Sequence, residues 1–274
     1  MTVGIIENKS KKQTEFYSNK LREAFEARGC DVICTGSMDE TADLYANADI
    51  IISLGGDGTF LRAASKVIER GTPVFGFNLG TLGFLTEFDK NSIDTTVDRI
   101  TKGDYEIEER RVLAVNIQKK DKKEFFGYAL NDCVVMRTMR QNMAYLQLYI
   151  RDIFVDSYPC DGIIVATQTG STAYSLSAGG PIIEPGNDVV LTTPICSHSM
   201  GNKTIVSRPE SPVKIVPYGR SKSMQVIVDG YRHGTVKPGE AVLCEECDRK
   251  VRIIRVDPPN FYTTVRTKLI AREN

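Results

Sequence analysis

The chain has 274 residues, 41% of them hydrophobic and 26% charged, with 35 basic side chains against 35 acidic ones. That apolar content excludes a disordered chain, and the length suits one large domain or two smaller ones with cores of their own. A formal net charge of zero argues against a nucleic-acid partner held by an overall positive field, while leaving room for a local phosphate pocket.

In chain order, Val3-Gly4-Ile5-Ile6 is a short apolar strand that meets Glu7 too soon for a signal peptide. Residues 13–28 place Tyr17, Leu21, Ala24 and Phe25 at helical spacing, and Gly29 closes that helix. Val32-Ile33 begins a second strand, and Ile50-Ile51-Ile52 forms a buried-type third strand. An amphipathic helix over 59–70 ends at Gly71, and a strand follows over 73–77. Strands alternating with helices predict a parallel sheet with right-handed crossovers. Near residue 105 the pattern turns to apolar runs with turn signals, over 112–117, 125–136, 146–150, 163–166, 224–228 and 251–256. These predict a mainly antiparallel β region, with one short helix candidate over 171–178. No apolar run of ~18 residues is present to span a bilayer. Seven scattered cysteines, an odd number, fit a reduced compartment. The expectation is a cytoplasmic protein with no membrane and no nucleic-acid partner.

The strongest local signal is Gly55-Gly56-Asp57-Gly58-Thr59 between an apolar strand and a helix. Glycines let the backbone approach a ligand, and the helix start offers unpaired N–H groups and a partial positive charge, a combination that binds phosphate. The lysine of a P-loop and the Gly-x-Gly-x-x-Gly spacing are both absent. An acid in such a loop repels phosphate unless it bridges a metal or activates a hydroxyl; a plain turn with Asp57 as helix cap is the alternative. Asn131-Asp132 interrupts an apolar run, so it is either a hydroxyl-reading pair or a strand end. Asp161-Gly162 leads through a strand into Thr167–Ser177, hydroxyl-rich around Gly170, where Ser171 and Thr172 can cap the helix and do nothing more, and Tyr174 can equally stack on a base. Cys244-Glu245-Glu246-Cys247 reads as an incidental surface turn, because no second pair or adjacent histidine completes a zinc site. His198 lacks a triad around it and reads as structural or ligand-contacting.

Taken together, these residues resemble the NAD kinase family over nearly the whole chain and in the same order. The likeness takes in residues 55–59, 76–85, 131–132 and 161–181, and the closing stretch 260–269. The Gly-Gly-Asp-Gly loop alone is shared with lipid kinases and phosphofructokinases; Asn131-Asp132 with residues 169–174 is more specific. The resemblance implies an N-terminal open α/β nucleotide-binding domain (1–106, with the tail 257–274 packing back on it) and a β-rich, mainly antiparallel NAD-binding domain (107–256). It implies phosphoryl transfer from ATP or polyphosphate, with Mg²⁺ or another divalent cation, to the adenosine ribose 2′-hydroxyl of NAD. Asp57 would be the proton acceptor, and Asp57 and Gly58 would contact the dinucleotide. Arg62 would lie near bound phosphate. Asn131 and Asp132 would hold the adenosine part, and Thr172, Ala173, Tyr174 and Ser177 would form the adenine pocket. Asp161 would reach the nicotinamide end, in this family often across a subunit interface, and Phe84 would line the same site. No residue is assigned as a metal ligand, and a homo-oligomer, dimer or tetramer, is implied. Gln168, Ser197, Lys203-Thr204, Pro159 and Tyr231 depart from the family pattern. A lipid kinase of the diacylglycerol type and a non-catalytic dinucleotide-binding regulator are the alternatives.

Overall fold

The protein is described by a computed structural model covering residues 1–7, 13–35, 42–79, 83–87, 93–120, 122–138, 143–197, 203–219, 221–257 and 261–270. The first elements are β1 (Thr2–Glu7), α1 (Thr14–Glu26), β2 (Asp31–Thr35), α2 (Ala42–Asn47), β3 (Ile50–Gly55), α3 (Asp57–Val67), β4 (Val74–Asn78) and α4 (Ile93–Lys102). Then come β5 (Glu106–Lys119), β6 (Lys122–Ala129), β7 (Asp132–Met136), β8 (Ala144–Ile150), β9 (Ile153–Cys160), β10 (Gly162–Thr167), a 3-10 turn (Thr169–Thr172) and α5 (Tyr174–Ser177). The chain continues through β11 (Val190–Ile195), β12 (Ile205–Ser207), β13 (Val213–Pro217), β14 (Met224–Val228), β15 (Arg232–Val236) and β16 (Glu240–Arg255). It ends in α6 (Phe261–Val265) and a π-helical turn (Arg266–Ile270). Two compact units result: unit 1, residues 1–110 with 249–274, and unit 2, residues 111–248.

Unit 1 carries a parallel sheet in the order β2-β1-β3-β4, with Val3 opposite Val32 and Ile50, and Ile52 opposite Phe75. All six residues of β3 are buried, as a strand covered on both faces requires. On one face Leu21, Ala24 and Phe25 of α1 and Ile93, Val97 and Ile100 of α4 pack on Val3, Ile5, Ile50, Ile52, Phe75 and Phe77. On the other, α2 and α3 come so close that a Cβ on Gly4 would meet Leu44 at 2.7 Å, and one on Gly76 would meet Phe60 at 2.9 Å. Gly29 ends the first helical segment at φ +76°, donating its N–H to Glu26. Helix α4 has no counterpart among the predicted elements. The stretch 251–256, expected to continue the antiparallel region, instead pairs in parallel with β4 through Ile253 and Val74. Its apolar alternation reports burial, and burial says nothing of strand direction.

Unit 2 is a pair of antiparallel sheets. One has the order β12-β11-β10-β7-β14-β15, and in the other β13 lies between β8 and the start of β16, with β9 beyond β8. Leu146, Leu148, Val165, Val213, Ile215, Val226, Val228 and Val242 pack between them. The opposite face of the first sheet buries Val134, Ile164, Ala166 and Leu191 under Ala178 and Ile183. That second covered face explains why β10 is buried at every position. The predicted run 125–136 is two strands, because the chain turns at Leu130-Asn131 before β7 starts at Asp132. Cys244 and Cys247 are not on a surface turn but within β16, whose alternation buries Cys244 and leaves Cys247 half-buried.

Candidate functional site

In unit 1, β3 ends at Gly55, Gly56 begins α3 with extended backbone (φ −118°, ψ −172°), and Asp57 is the first helical residue. Gly55 is demanded by packing, since a Cβ there would collide with the Thr59 side chain. Gly58 faces open space. No side chain caps α3, so Asp57 is not spent as a helix cap. Its carboxylate turns instead to residues 84–86. Phe84 N–H donates to Oδ2 (3.0 Å), Leu85 N–H to Oδ1 (3.2 Å) and the Thr86 hydroxyl to Oδ1 (3.1 Å). Lys268 from the C-terminal turn adds its ammonium, 3.4 Å from Oδ2. Asn78 Nδ2 in turn donates to the Thr86 hydroxyl at 2.9 Å. A Cβ on Gly83 would collide with Asp57 Oδ1 and Thr86 Oγ1, so only glycine lets this segment close on the carboxylate. The Phe84 ring is 6.2 Å from that of Phe261 and lies under the Lys268 ammonium at 4.9 Å. Arg62 is exposed on α3. The structure thus brings Asp57 and Phe84 together, and adds Gly83, Thr86 and Lys268.

In unit 2, β7 and β14 are neighbours, with Cys133 opposite Val228, so Asp132 at the start of one lies beside Asp229 after the end of the other. Asp229, in the left-handed region at φ +48°, accepts N–H bonds from Leu130 (2.9 Å), Asn131 (2.8 Å) and Asp132 (3.0 Å). Asn131 is half-buried; its carbonyl accepts from Thr167 N–H, and a Cβ on Gly170 would collide with it. The Thr167 hydroxyl donates to the Leu130 carbonyl and accepts from Thr169 and Gly170 N–H, which ties the 3-10 turn to the residues before β7. Asp132 accepts from the backbone of Tyr174, so the two family segments meet at a carboxyl group. Burial, reinforced by the charge of Asp229, pushes the Asp132 carboxyl up to about 7. Burial pushes Asp229 up to about 6, against the opposing pull of its three N–H donors.

Tyr174 is 40% exposed, and burial with nearby Cys196, Asp161 and Asp132 raises its phenol. Asp161 pairs with Arg137 Nε at 2.6 Å. Thr172 spends its hydroxyl on the Thr169 carbonyl at 3.4 Å, Ala173 is half-buried and Ser177 is exposed. Ser171 does not cap α5; it is fully buried, with its hydroxyl bonded to the Ile183 backbone. Gln168 opens the 3-10 turn with its side chain buried. His198 and residues 80–82 lie outside the described residues. Sequence reasoning gave no role to Asp229, nor to Gly83 or Lys268, although the last two fall in stretches that carry the resemblance.

The ATP-NAD kinase N-terminal domain family matches residues 42–105, and the ATP-NAD kinase C-terminal domain family matches residues 130–256. The NAD kinase of Ruminiclostridium cellulolyticum is 37% identical to this chain over 99% of it and 98% of its own length. The chain belongs to the NAD kinase family. A crystal structure of an NAD kinase from Archaeoglobus fulgidus in complex with ATP is 26% identical, with a TM-score of 0.81 over 97% of this chain and 99% of that one. The yeast NADH kinase structure, at 22% identity and a TM-score of 0.84 over 100% of this chain and 88% of that one, shows the same fold. As a member of the NAD kinase family the chain is a phosphotransferase, and neither the lipid kinase nor the non-catalytic regulator is favoured. Its α/β domain and its β-rich domain are those of NAD kinases.

Proposed function

We propose that the chain transfers the terminal phosphoryl group of ATP to the adenosine ribose 2′-hydroxyl of NAD, with Asp57 as proton acceptor. The observation that carries this role is the Asp57 carboxylate, placed by a fully buried strand beside a helix start and aimed by three donors of residues 84–86 rather than spent on capping. The 2′-oxygen attacks the terminal phosphorus, the bond to the bridging oxygen breaks, and ADP leaves with that electron pair. The hydroxyl proton passes to Asp57. A ribose hydroxyl is too weak an acid for a carboxylate to deprotonate beforehand. In a loose, metaphosphate-like transition state the proton leaves late, so the carboxylate need only orient the hydroxyl and then receive it.

The first N–H groups of α3, at Asp57 and Gly58, have no intrahelical carbonyl and suit a phosphate of the substrates. Arg62, exposed on the same helix, adds a cation for them. In unit 2, Asn131 and Asp132 hold the adenosine part, Thr172, Ala173, Tyr174 and Ser177 form the adenine pocket, and Asp161 reaches the nicotinamide end. Phe84 lines the site beside Asp57. Among the described residues no group of three or more His, Cys, Asp or Glu side chains converges as a metal site. Mg²⁺, or another divalent cation, comes with the donor phosphates as part of the substrate, and polyphosphate bound in the same way is the alternative donor. Among the described residues no helix is long and apolar enough to cross a membrane. The enzyme this reading describes works in the cytoplasm. The partner is a second copy of the chain, in a dimer or tetramer.

The test is NADP formation from NAD, ATP and Mg²⁺, read by an NADP-specific dehydrogenase, with polyphosphate replacing ATP in parallel. Asp57→Asn is expected to lose ~10²–10⁴ in turnover, the range of a proton-transfer group. It should also lose ~1–3 kcal/mol of stability, because an amide cannot accept from every donor around it. Near-normal turnover in the folded variant would remove Asp57 from this role.

A further inference from the structure

An ionised carboxylate offers about four lone-pair directions. Among the described residues Asp57 receives four donors, two on each oxygen: Leu85 N–H and Thr86 hydroxyl on Oδ1, Phe84 N–H and Lys268 Nζ on Oδ2. An acceptor hydroxyl that is to pass its proton to this carboxylate needs one of those directions. Three of the donors are built in. Phe84 and Leu85 offer backbone N–H groups of a segment closed on Asp57 through Gly83, and the Thr86 hydroxyl is held by Asn78. Lys268 differs in each respect. Its contact is the longest of the four at 3.4 Å, its side chain is 26% exposed, and a four-carbon stem lets its ammonium move. Asp57 is also not its only attraction, since in the same position Nζ lies 4.9 Å from the centre of the Phe84 ring, whose face attracts a cation.

Resting on the kinase reading of Asp57, we infer that Lys268 belongs to the phosphoryl-transfer site. It holds the place on Asp57 Oδ2 that the acceptor hydroxyl takes, and when displaced it carries its ammonium to the terminal phosphate of the donor. Lys268 keeps its protons throughout; the hydroxyl proton goes to Asp57. Before substrate arrives the ammonium balances a carboxylate facing a phosphate site. Once the hydroxyl has replaced it, the same charge lies beside the phosphoryl group on which negative charge must be stabilised, held ready by the Phe84 ring. Acceptor binding and donor binding are thereby coupled through one side chain.

Lys268→Met keeps the stem and removes the charge, whereas Lys268→Arg keeps the charge. Steady-state NADP formation is measured for both and for the unmodified protein, with NAD and ATP varied in turn and melting temperatures recorded. The Met variant is expected to lose about 10²-fold in kcat and to raise KM for ATP, with KM for NAD unchanged or lower because Oδ2 is vacated. The Arg variant should recover most of that loss. A stable Met variant with kcat and KM for ATP unchanged overturns the inference. So does a loss that leaves both KM values alone and that arginine does not repair, the pattern of a merely structural lysine. Should the Met variant fail to fold, the Arg variant decides. A raised KM for NAD with KM for ATP kept supports the exchange at Oδ2, and equal changes in both overturn it. If the unmodified protein forms no NADP, the kinase reading itself falls; NADP from all three proteins with like kinetics removes Lys268 alone.

Discussion

Asp132 and Asp229 put two carboxyl groups into the interior of unit 2, and their surroundings differ. Asp229 is clasped by three N–H donors, whereas Asp132 has the Tyr174 backbone and the negative charge of Asp229 beside it. Asp132 is therefore the group that takes a proton near neutrality, at about 7. Unfolded, an aspartate titrates near ~4, so between the two values the folded chain holds more protons than the unfolded one, and stability falls as pH rises through that window. Asp229, pushed up to about 6, acts in the same direction over a narrower range. Asp132→Asn cannot ionise, and its amide oxygen still accepts from Tyr174. Its melting temperature should decline less than that of the unmodified protein between roughly pH 5 and pH 8. Equal declines would show that Asp132 is ionised throughout. Asn131-Asp132 was visible in the sequence as a polar pair in an apolar run; the second carboxyl, Asp229, lies 97 residues from Asp132, and no local signal ties the two together.

At the scale of elements, the end of β16 fixes the segment that aims Asp57. Arg255, 3% exposed, donates from Nε to Glu108 (2.7 Å) and from Nη1 to the Leu85 carbonyl (3.3 Å) and Glu87 (3.4 Å). Glu87 accepts from Val256 and Asp257 N–H, and its own backbone pairs with Gly76 and Asn78. Burial pushes the Glu87 carboxyl up in spite of Arg255. Arg255→Met leaves Glu87 and Glu108 without that cation and frees the Leu85 carbonyl. The expected cost is ~3–5 kcal/mol, seen as a lower melting temperature, with a fall in turnover as the donors to Asp57 loosen. A variant as stable and as active as the parent would mean that the β4 pairing suffices. Helix α1 and the loop before α3 were legible because periodicity and glycines are local signals. The parallel pairing of residues 251–256 was not, because it depends on a strand some 180 residues earlier in the chain.

For the whole molecule, the proposed association rests on β9, which among the described residues pairs only with β8 and so forms a sheet edge. Ile153 is 68% exposed, Phe154 51% and Val155 37%. An apolar edge of this kind is a template for another chain, and a charge on it opposes pairing. Sedimentation is expected to show a dimer or tetramer for the unmodified protein, and Phe154→Lys should shift it toward monomer. A monomeric unmodified protein would end the proposal.

The sequence by itself determined the alternation of strands and helices in the first hundred residues, the β-rich remainder, and the acid in a glycine loop after a buried strand. Each of these is a property of neighbours along the chain, set by periodicity and by backbone freedom at glycine. The family followed from the order of such segments. Tertiary structure decided what surrounds each acid: three donors of residues 84–86 and a lysine 211 positions away for Asp57, and a second buried carboxyl for Asp132. Those contacts join residues far apart in the chain, and hydrogen bonding and desolvation act through space, so local pattern carries no trace of them.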